Sequence, residues 1–470
     1  MNRYSLALVL LAALSGCSST GTADRPQPAL SAEVAGLGAP ADWAFGAGAD
    51  GEIAADWSSI ISDPVLLDLM SQALSANPNL RATEESVRRA EAFLRQSRSN
   101  LLPFVNASAG ASASSPFEDF DLGERYTLGL DASWEADLWG AIRSGIAASE
   151  YDLQAAETFY RASREALAAA VARAYVVAID AGRQVELTRA TLAAQVETQR
   201  IVNIRYELGA ADRGDQVLAE SDVASARDSL ETSLAAQRSA VRALQVLLGR
   251  YPDGSMTVPD ALPVVADVVI AGQPADLLRR RPDVLSAEAS VRSAFASTRV
   301  VRAGRWPSLS LSGGVSSATD SLGDLVDPAA LALSLGARLA DTLFDGGLTA
   351  ARIEAAEAGG RLALANYGSA VLDAYADVEG RLDDVETLRR RATYVETASA
   401  NARETLQLAE IQYKEGAIDL LDVLTFRQRS FQADRTLLSL RRSEIESRIA
   451  LYLSLGGAMT PLPTANDGQS

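Results

Sequence analysis

"NPNLRATEESVRRAEAFLRQSRSNLLPFVNASAG" (residues 77–110) and "RPDVLSAEASVRSAFASTRVVRAGRWPSLSLSGG" (residues 281–314) align without a gap, and 12 of their 34 positions are identical. Pro78 matches Pro282, Glu84 matches Glu288, Arg88 matches Arg292 and Pro103 matches Pro307. A slightly larger offset brings Tyr206, Gly209, Asp212, Asp215 and Gly249 onto Tyr413, Gly416, Asp419, Asp422 and Gly456. Self-similarity at one spacing marks an internal repeat. The expected organisation is a first repeat over residues 56–250 and a second over 275–457. A Pro-rich connection, 251–274, joins them, and 458–470 form a C-terminal tail.

Proline is confined within each half: none occurs between Pro116 and Pro252 or between Pro328 and Pro461. Pro breaks helix interiors, so these windows can hold very long helices, expected over 140–208 and 347–415. From Tyr367 through Val371, Ala374, Val378 and Leu382 to Ala409 and Tyr413, apolar residues recur at spacings of three and four. That pattern describes a coiled-coil seam, with Ala permitting close approach. A turn at Gly209 and at Gly416 starts a returning helix, 212–248 and 418–455.

Between the short and long helices the period falls to two. In "YTLGLDASWEADLW" (126–139), Tyr126, Leu128, Leu130, Ala132, Trp134 and Ala136 share one face. Four strands are expected, at about 103–115, 126–138, 307–318 and 331–343. Alternation of this kind suits a membrane barrel and a half-buried soluble sheet equally. Two features favour the membrane. Aromatic residues stand at all four helix–strand junctions (Phe104, Trp139, Trp306, Phe344), as an interfacial girdle would. The loops at the other strand ends, "PFEDFDLGER" and "TDSLGDLVDPAA", are acidic and polar, as tips in water would be. Four strands cannot close a barrel, for which about eight is the minimum, and lipid does not tolerate open sheet edges. Other copies must complete it; two give eight strands and three give twelve.

Composition narrows the function classes. The chain has 470 residues, 43 basic and 61 acidic, for a formal charge of -18, which argues against a nucleic-acid partner. It has no His, the commonest general base and metal ligand, and a single Cys. No catalytic residue, metal site or cofactor is expected, and the chain does not read as an enzyme. The Cys ends "MNRYSLALVLLAALSGC", a basic residue followed by a short apolar run and small residues. That is a secretory signal, too short for a permanent membrane helix. It resembles a bacterial lipoprotein signal over 1–16, with Cys17 the acylated first residue of the mature chain. The alternative is an ordinary signal cut near Ala13. Ser18 follows where inner-membrane lipoproteins often carry Asp, which favours the outer membrane, and 17–55 read as an extended tether.

Beyond the tether, the chain resembles the outer-membrane factor (TolC) family, in the lipoprotein branch of NodT- and OprM-like proteins of RND-type efflux systems. "GQPADLLRRRPDVLSAEASV" (272–291), "SWEADLWG" (133–140) and "TLFDGGL" (342–348) carry the resemblance, together with the duplicated Tyr…Gly…Asp turns. It implies a mainly α fold with a membrane β portion: a homotrimer with a twelve-stranded barrel in outer-membrane lipid, continued by an α-barrel across the periplasm. It also implies a passive exit duct served by a periplasmic adaptor (membrane fusion protein) and an inner-membrane RND-type transporter. In relatives the second-half turn carries constricting aspartates. Asp422 aligns with one of them, and Thr425 stands where some relatives have another. Asp419, Asp215 and Asp212 supply further carboxylates, with Gly209 and Gly416 as hinges. A latching basic residue would fall at Ile418; Arg213 is the substitute, pairing with Asp215 or Asp419. The same aspartates also read as helix caps, and both roles can coexist.

The rival from another class is a lipid-anchored periplasmic coiled-coil scaffold without a pore. The two separate on Cys17→Ser: the duct stays in the membrane through its barrel and requires detergent for extraction. Release into buffer after that single substitution would establish the scaffold instead.

Overall fold

The repeat and the proline distribution both predict matched pairs of helices, and matched pairs form. A computed structural model describes residues 26–38, 42–44, 61–114, 123–265 and 272–457. Helix α1 spans Pro26–Gly36, α2 Pro64–Ala76 and α3 Pro78–Ser99, followed by β1 (Phe104–Ser114) and β2 (Gly123–Ala136). Long α4 (Ala141–Glu207) and returning α5 (Arg213–Leu247) close the first half. After the one-turn α6 (Leu277–Arg280) the second half repeats the order: α7 (Pro282–Ala303), β3 (Ser308–Thr319), β4 (Leu331–Ala340), α8 (Leu348–Lys414) and α9 (Leu420–Ser454). Both long helices have 67 residues and both returning ones 35. At 1.5 Å per residue each long helix runs on the order of 100 Å. Among the described residues no helix is long and apolar enough to cross a membrane. The signal segment, Cys17 and the C-terminal tail lie outside the described residues.

Contacts divide the chain into two compact units, to both of which the long helices contribute. The first contains 90–155 and 287–368 with α1. Its sheet has the order β1-β2-β3-β4, every neighbouring pair antiparallel. Each half thus supplies one hairpin, and β2–β3 pairing joins the halves. Strand β2 starts three residues before the expected position and β4 ends at Ala340. The reading of 17–55 as an extended tether is corrected over Pro26–Gly36, which is helical. Both of its prolines sit in the first turn, where their missing N–H groups cost nothing, and Leu30 is buried.

The second unit holds the main core. Leu66, Leu69, Met70 and Ala73 of α2 pack with Ala168, Val171, Ala172, Tyr175, Val176 and Ile179 of α4. Leu244 and Leu248 from the end of α5, with Ile445, Ile449 and Tyr452 of α9, complete it. Asp63 caps α2, accepting from Val65 N and Leu66 N, while Tyr175 Oη donates to its other oxygen at 3.0 Å. The α8 seam is buried from Tyr367 to Leu382 and again at Ala409 and Tyr413. Between them Val385, Leu388, Ala392 and Val395 are half-covered and Ala398 is exposed, so one copy does not fill the seam.

The repeat is reproduced at the level of single contacts. Asn77 Nδ2 donates to Leu247 O at 2.9 Å, and its counterpart Arg281 donates to Ser454 O at 3.0 Å. Each pair ties the start of a short helix to the end of a returning one. Gly249 and Gly456 end those returning helices at φ 68° and 99°. A Cβ on Gly249 would lie 2.7 Å from Ala76 O, and one on Gly456 3.1 Å from Arg280 O. These glycines match because the backbone of the short-helix segment leaves no room. Gly209 has the same hand (φ 71°) but open space around it. Gly209→Ala therefore loses only the left-handed backbone preference, about 1 kcal/mol. Gly249→Ala adds a backbone clash, for a total of about 2–4 kcal/mol. Thermal unfolding in detergent should place the Gly249→Ala midpoint clearly below that of Gly209→Ala.

Candidate functional site

Strand register sorts the sheet into two chemically distinct faces. Opposed residues share a face, so the pairs Ala107–Leu130, Leu130–Val315 and Val315–Leu333 continue one apolar row across all four strands. Trp134–Leu311 and Gly313–Leu335 extend that face. None of it is covered by the described core clusters: Leu333 is 74 % and Leu335 84 % exposed. The opposite face carries Ser108, Thr127, Asp131, Ser312, Ser316, Ser334 and Arg338. A soluble sheet buries its apolar face against a core; this one leaves it bare and puts the polar groups on the other side.

Glycine placement was not anticipated from the sequence. Gly110, Gly129, Gly314 and Gly336 all fall on the polar face. A Cβ at Gly314 would stand 2.5 Å from Asp131 Oδ1, at Gly129 2.8 Å from Ser108 Oγ, and at Gly110 and Gly336 2.9 Å from Thr127 Oγ1 and Ser312 Oγ. Side chains crowd on this face, as they do on the concave side of a curved sheet. The available signal was their shared parity along the strands.

At the helix–strand junctions Trp139 stacks on Trp306, one from each half, at 5.4 Å between centroids. Trp139 Nε1 donates to Pro307 O at 2.7 Å, and the Arg305 guanidinium lies over the Trp306 ring at 5.7 Å. Phe344 and Leu343 are almost fully exposed. Phe104 departs from the expected girdle: its partner is Ser133, so the register assigns it to the polar parity. Trp134, whose Nε1 donates to Leu101 O at 3.0 Å, occupies the apolar face nearby. Asp137 caps the entry to α4, accepting from Ile142 N and from Arg143 N and Nε. Burial pushes its carboxyl up, but those hydrogen bonds and the Arg143 charge outweigh it and hold it below the ordinary value.

The two acidic turns, in the second unit, have one backbone design. Gly209 N donates to Tyr206 O and Ala210 N to Arg205 O; Gly416 N donates to Tyr413 O and Ala417 N to Gln412 O. These are left-handed helix stops that satisfy the last carbonyls. Asp212 and Asp419 are then N-caps, accepting from Asp215 N at 2.9 Å and Asp422 N at 3.0 Å. In the first turn Asp215 also bonds back to Asp212 N at 3.4 Å, completing a capping box. The second turn has no such return bond, and among the described residues the exposed Asp422 carboxylate has no partner.

Arg213 does not pair with Asp215 or Asp419 within the chain; it donates to Gln216, three residues along its own helix. At the first helical position its side chain reaches the next turn more readily than the preceding cap. The cations at these turns are elsewhere. Arg205 lies over the Tyr413 ring at 4.7 Å, beside an apolar cluster of Val202, Ala219, Leu420, Val423 and Leu424. Arg427 is buried, donating to Thr198 Oγ1 and to Glu410 Oε1, both at 2.6 Å. Burial raises the Asp222 carboxyl, and the Arg427 charge offsets part of the effect. The sequence signal for Arg427 was a cation at a helix position whose repeat equivalent, Glu220, is acidic. Removing one member of a buried pair leaves the rest unpaired. Allowing for the partial exposure of Glu410, Arg427→Met should cost about 2–3 kcal/mol. Hydrogen exchange should accelerate across 194–222 and 405–427 and remain unchanged in α2; uniform acceleration would instead mean global destabilisation.

Comparison with known proteins adds an independent observation. The profile of the family described as "Outer membrane efflux protein" matches residues 69–250 and 274–457. Outer membrane protein OprJ of Pseudomonas aeruginosa is 30% identical over 461 residues, covering 96% of this chain and 95% of OprJ. Pyoverdine export outer membrane protein OpmQ of the same species is 29% identical, with 97% of each chain covered. The crystal structure of the open-state MtrE outer membrane channel of Neisseria gonorrhoeae superimposes with a TM-score of 0.81 at 27% identity, covering 89% of this chain and 95% of MtrE.

Proposed function

Because the chain belongs to the outer membrane efflux protein family, and so is an outer-membrane efflux channel reaching into the periplasm, we propose that it works as a homotrimer whose three four-stranded sheets close one twelve-stranded barrel. The observation that carries this reading is the bare apolar face of an edge-open sheet, backed by a crowded polar face. With the apolar face in lipid and the polar face inward, the bore stays wet and every strand edge is paired. The sequence intervals follow: a signal peptide at 1–16, acylation at Cys17, a tether to about residue 55, and one family repeat on each side of 251–274.

Solutes enter from an inner-membrane RND-type transporter through a periplasmic adaptor, and the duct conducts them without chemistry of its own. Its inner end is narrowed by the Asp212–Asp215 and Asp419–Asp422 turns, which three-fold repetition arranges as carboxylate rings. The left-handed hinges at Gly209 and Gly416 let the helix pairs swing. Adaptor helices pack into the grooves between those pairs. The pore-free scaffold would need its apolar strand face covered, and none of the described core clusters includes it.

Asp422→Ala combined with Asp215→Ala tests the gate. Single-channel conductance in planar bilayers should rise, because both rings lose charge and constriction. Unchanged conductance would remove the gate from these residues while leaving the duct; no conductance from either protein would remove the duct.

A further inference from the structure

We infer that the β3–β4 loop is a lipid-contact element, an apolar 3₁₀ turn laid over the outward face of the sheet at the boundary of the outer leaflet. This rests on the barrel reading above and changes the expectation that the loop is a tip held in water. Ser317 begins the argument. It is paired with Leu128 and Leu331, so it belongs to the apolar face. Its neighbours on that face are open, Val315 at 40 % and Leu331 at 47 % exposure, yet Ser317 is 2 % exposed. Something covers the apolar face at this point.

The 3₁₀ turn Leu322–Val326 follows β3 closely in the chain and lies near both β2 and β3, which makes it the cover in this reading. Thr319 shares the parity of Ser317, and its hydroxyl donates to Ser321 O at 2.7 Å, fixing the chain reversal toward the apolar side. Ser317 Oγ finds no hydrogen-bond partner beneath the turn, as expected under an apolar cover. Leu325 is half-buried, while Leu322 and Val326 remain 66 % and 74 % exposed. The turn is held from its far side as well: Asp327 N donates to Asp324 O at 3.0 Å, and Asp327 Oδ1 accepts from Ala329 N at 2.9 Å. Two exposed aliphatic side chains are thus fixed on the side of the sheet that faces lipid, continuous with Leu331 and Leu333.

The occupant of that surface is lipid. Exposed Asp320, Asp324 and Asp327 in the same ten residues limit the depth, since carboxylates are expelled from the hydrocarbon core. Exposed aliphatic and carboxylate side chains together in one short turn place it at the headgroup–acyl boundary, as in an interfacial amphipathic element.

The test is spin-label accessibility in the full chain reconstituted into phospholipid bilayers, with labels at Leu322→Cys, Val326→Cys, Asp324→Cys and Leu335→Cys, and the parent chain as blank for Cys17. At 322 and 326 dissolved oxygen should relax the label more than a water-soluble nickel chelate does, and at 324 the order should reverse. Nickel dominance at 322 and 326, with oxygen dominance at 335, overturns the loop inference alone. Low access to both reagents at 322 and 326 assigns the surface to protein packing and also overturns it. Nickel dominance at 335 means that the barrel reading itself has failed.

Discussion

The rest of the structure depends on hydrogen bonds that one copy cannot make. The outer edges of β1 and β4, strands of 11 and 10 residues, have no partner within the described sheet. In water such edges are solvated, whereas in hydrocarbon each unpaired N–H or C=O costs several kcal/mol. Two open edges would therefore cost on the order of tens of kcal/mol in lipid. No plausible gain from burying Leu333 or Leu335 offsets that. The edges must meet other edges, and an antiparallel sheet with one edge from each half of the repeat is suited to joining copies of itself. Closure brings curvature, and curvature crowds the concave face. Glycine at 110, 129, 314 and 336 answers that crowding where Ser, Thr and Asp side chains would otherwise collide with a Cβ.

Duplication explains the helices in the same economical way, but with one departure. The backbone of the second half copies the first down to single bonds: equal helix lengths, the same left-handed stops, the same N-caps, the same ties from Asn77 and Arg281. Some of the charges do not follow. Arg427 sits where the first half has Glu220, Glu410 where it has Asn203, and Arg205 where the second half has Gln412. These differences converge on the contact between the two halves near their turns, where Arg427 spans Thr198 and Glu410 and Arg205 covers Tyr413. A duplicated scaffold has become asymmetric at a seam the chain closes internally.

Most of the architecture was legible because it is periodic. A spacing of three and four over dozens of residues, a switch to two, and prolines confined to boundaries each have one structural meaning, and duplication let each half check the other. The features that were missed are not periodic. Residues 26–36 are rich in Ala and Pro and read as tether; they are helical, with both prolines in the first turn and Leu30 buried. Phe104 looked like its junction counterparts, but register, which sequence alone does not fix at a strand's first residue, gives it the other face. Arg213 was close in sequence to the right carboxylates, yet helix geometry turns it toward Gln216. The loop 319–331 was read from its acidic residues, which are exposed; the short 3₁₀ turn inside it, Leu322–Val326 with Leu325 half-buried, carries no periodic signal.

The acidic turns show how one residue type can cap a helix and still present free charge without conflict. A long helix that stops at a left-handed Gly and reverses needs an acceptor for the first N–H groups of the next helix, and Asp212 and Asp419 supply it. One oxygen of each is committed to the cap, so any change in their charge also loosens a helix end. The residues three positions on are less constrained. Asp215 still returns a weak bond to its cap, whereas Asp422 contributes only its backbone N–H to the turn. Its carboxylate is exposed, fixed in place by the first turn of α9 and unengaged within the chain. A helix N-terminus already favours negative charge, so placing it there costs little in one copy. Repulsion arises only when copies bring these carboxylates together around an axis. In the proposed trimer the stability of the turn and the charge of the ring would thus be carried by different aspartates, and such a ring could respond to assembly without unfolding the turn that presents it.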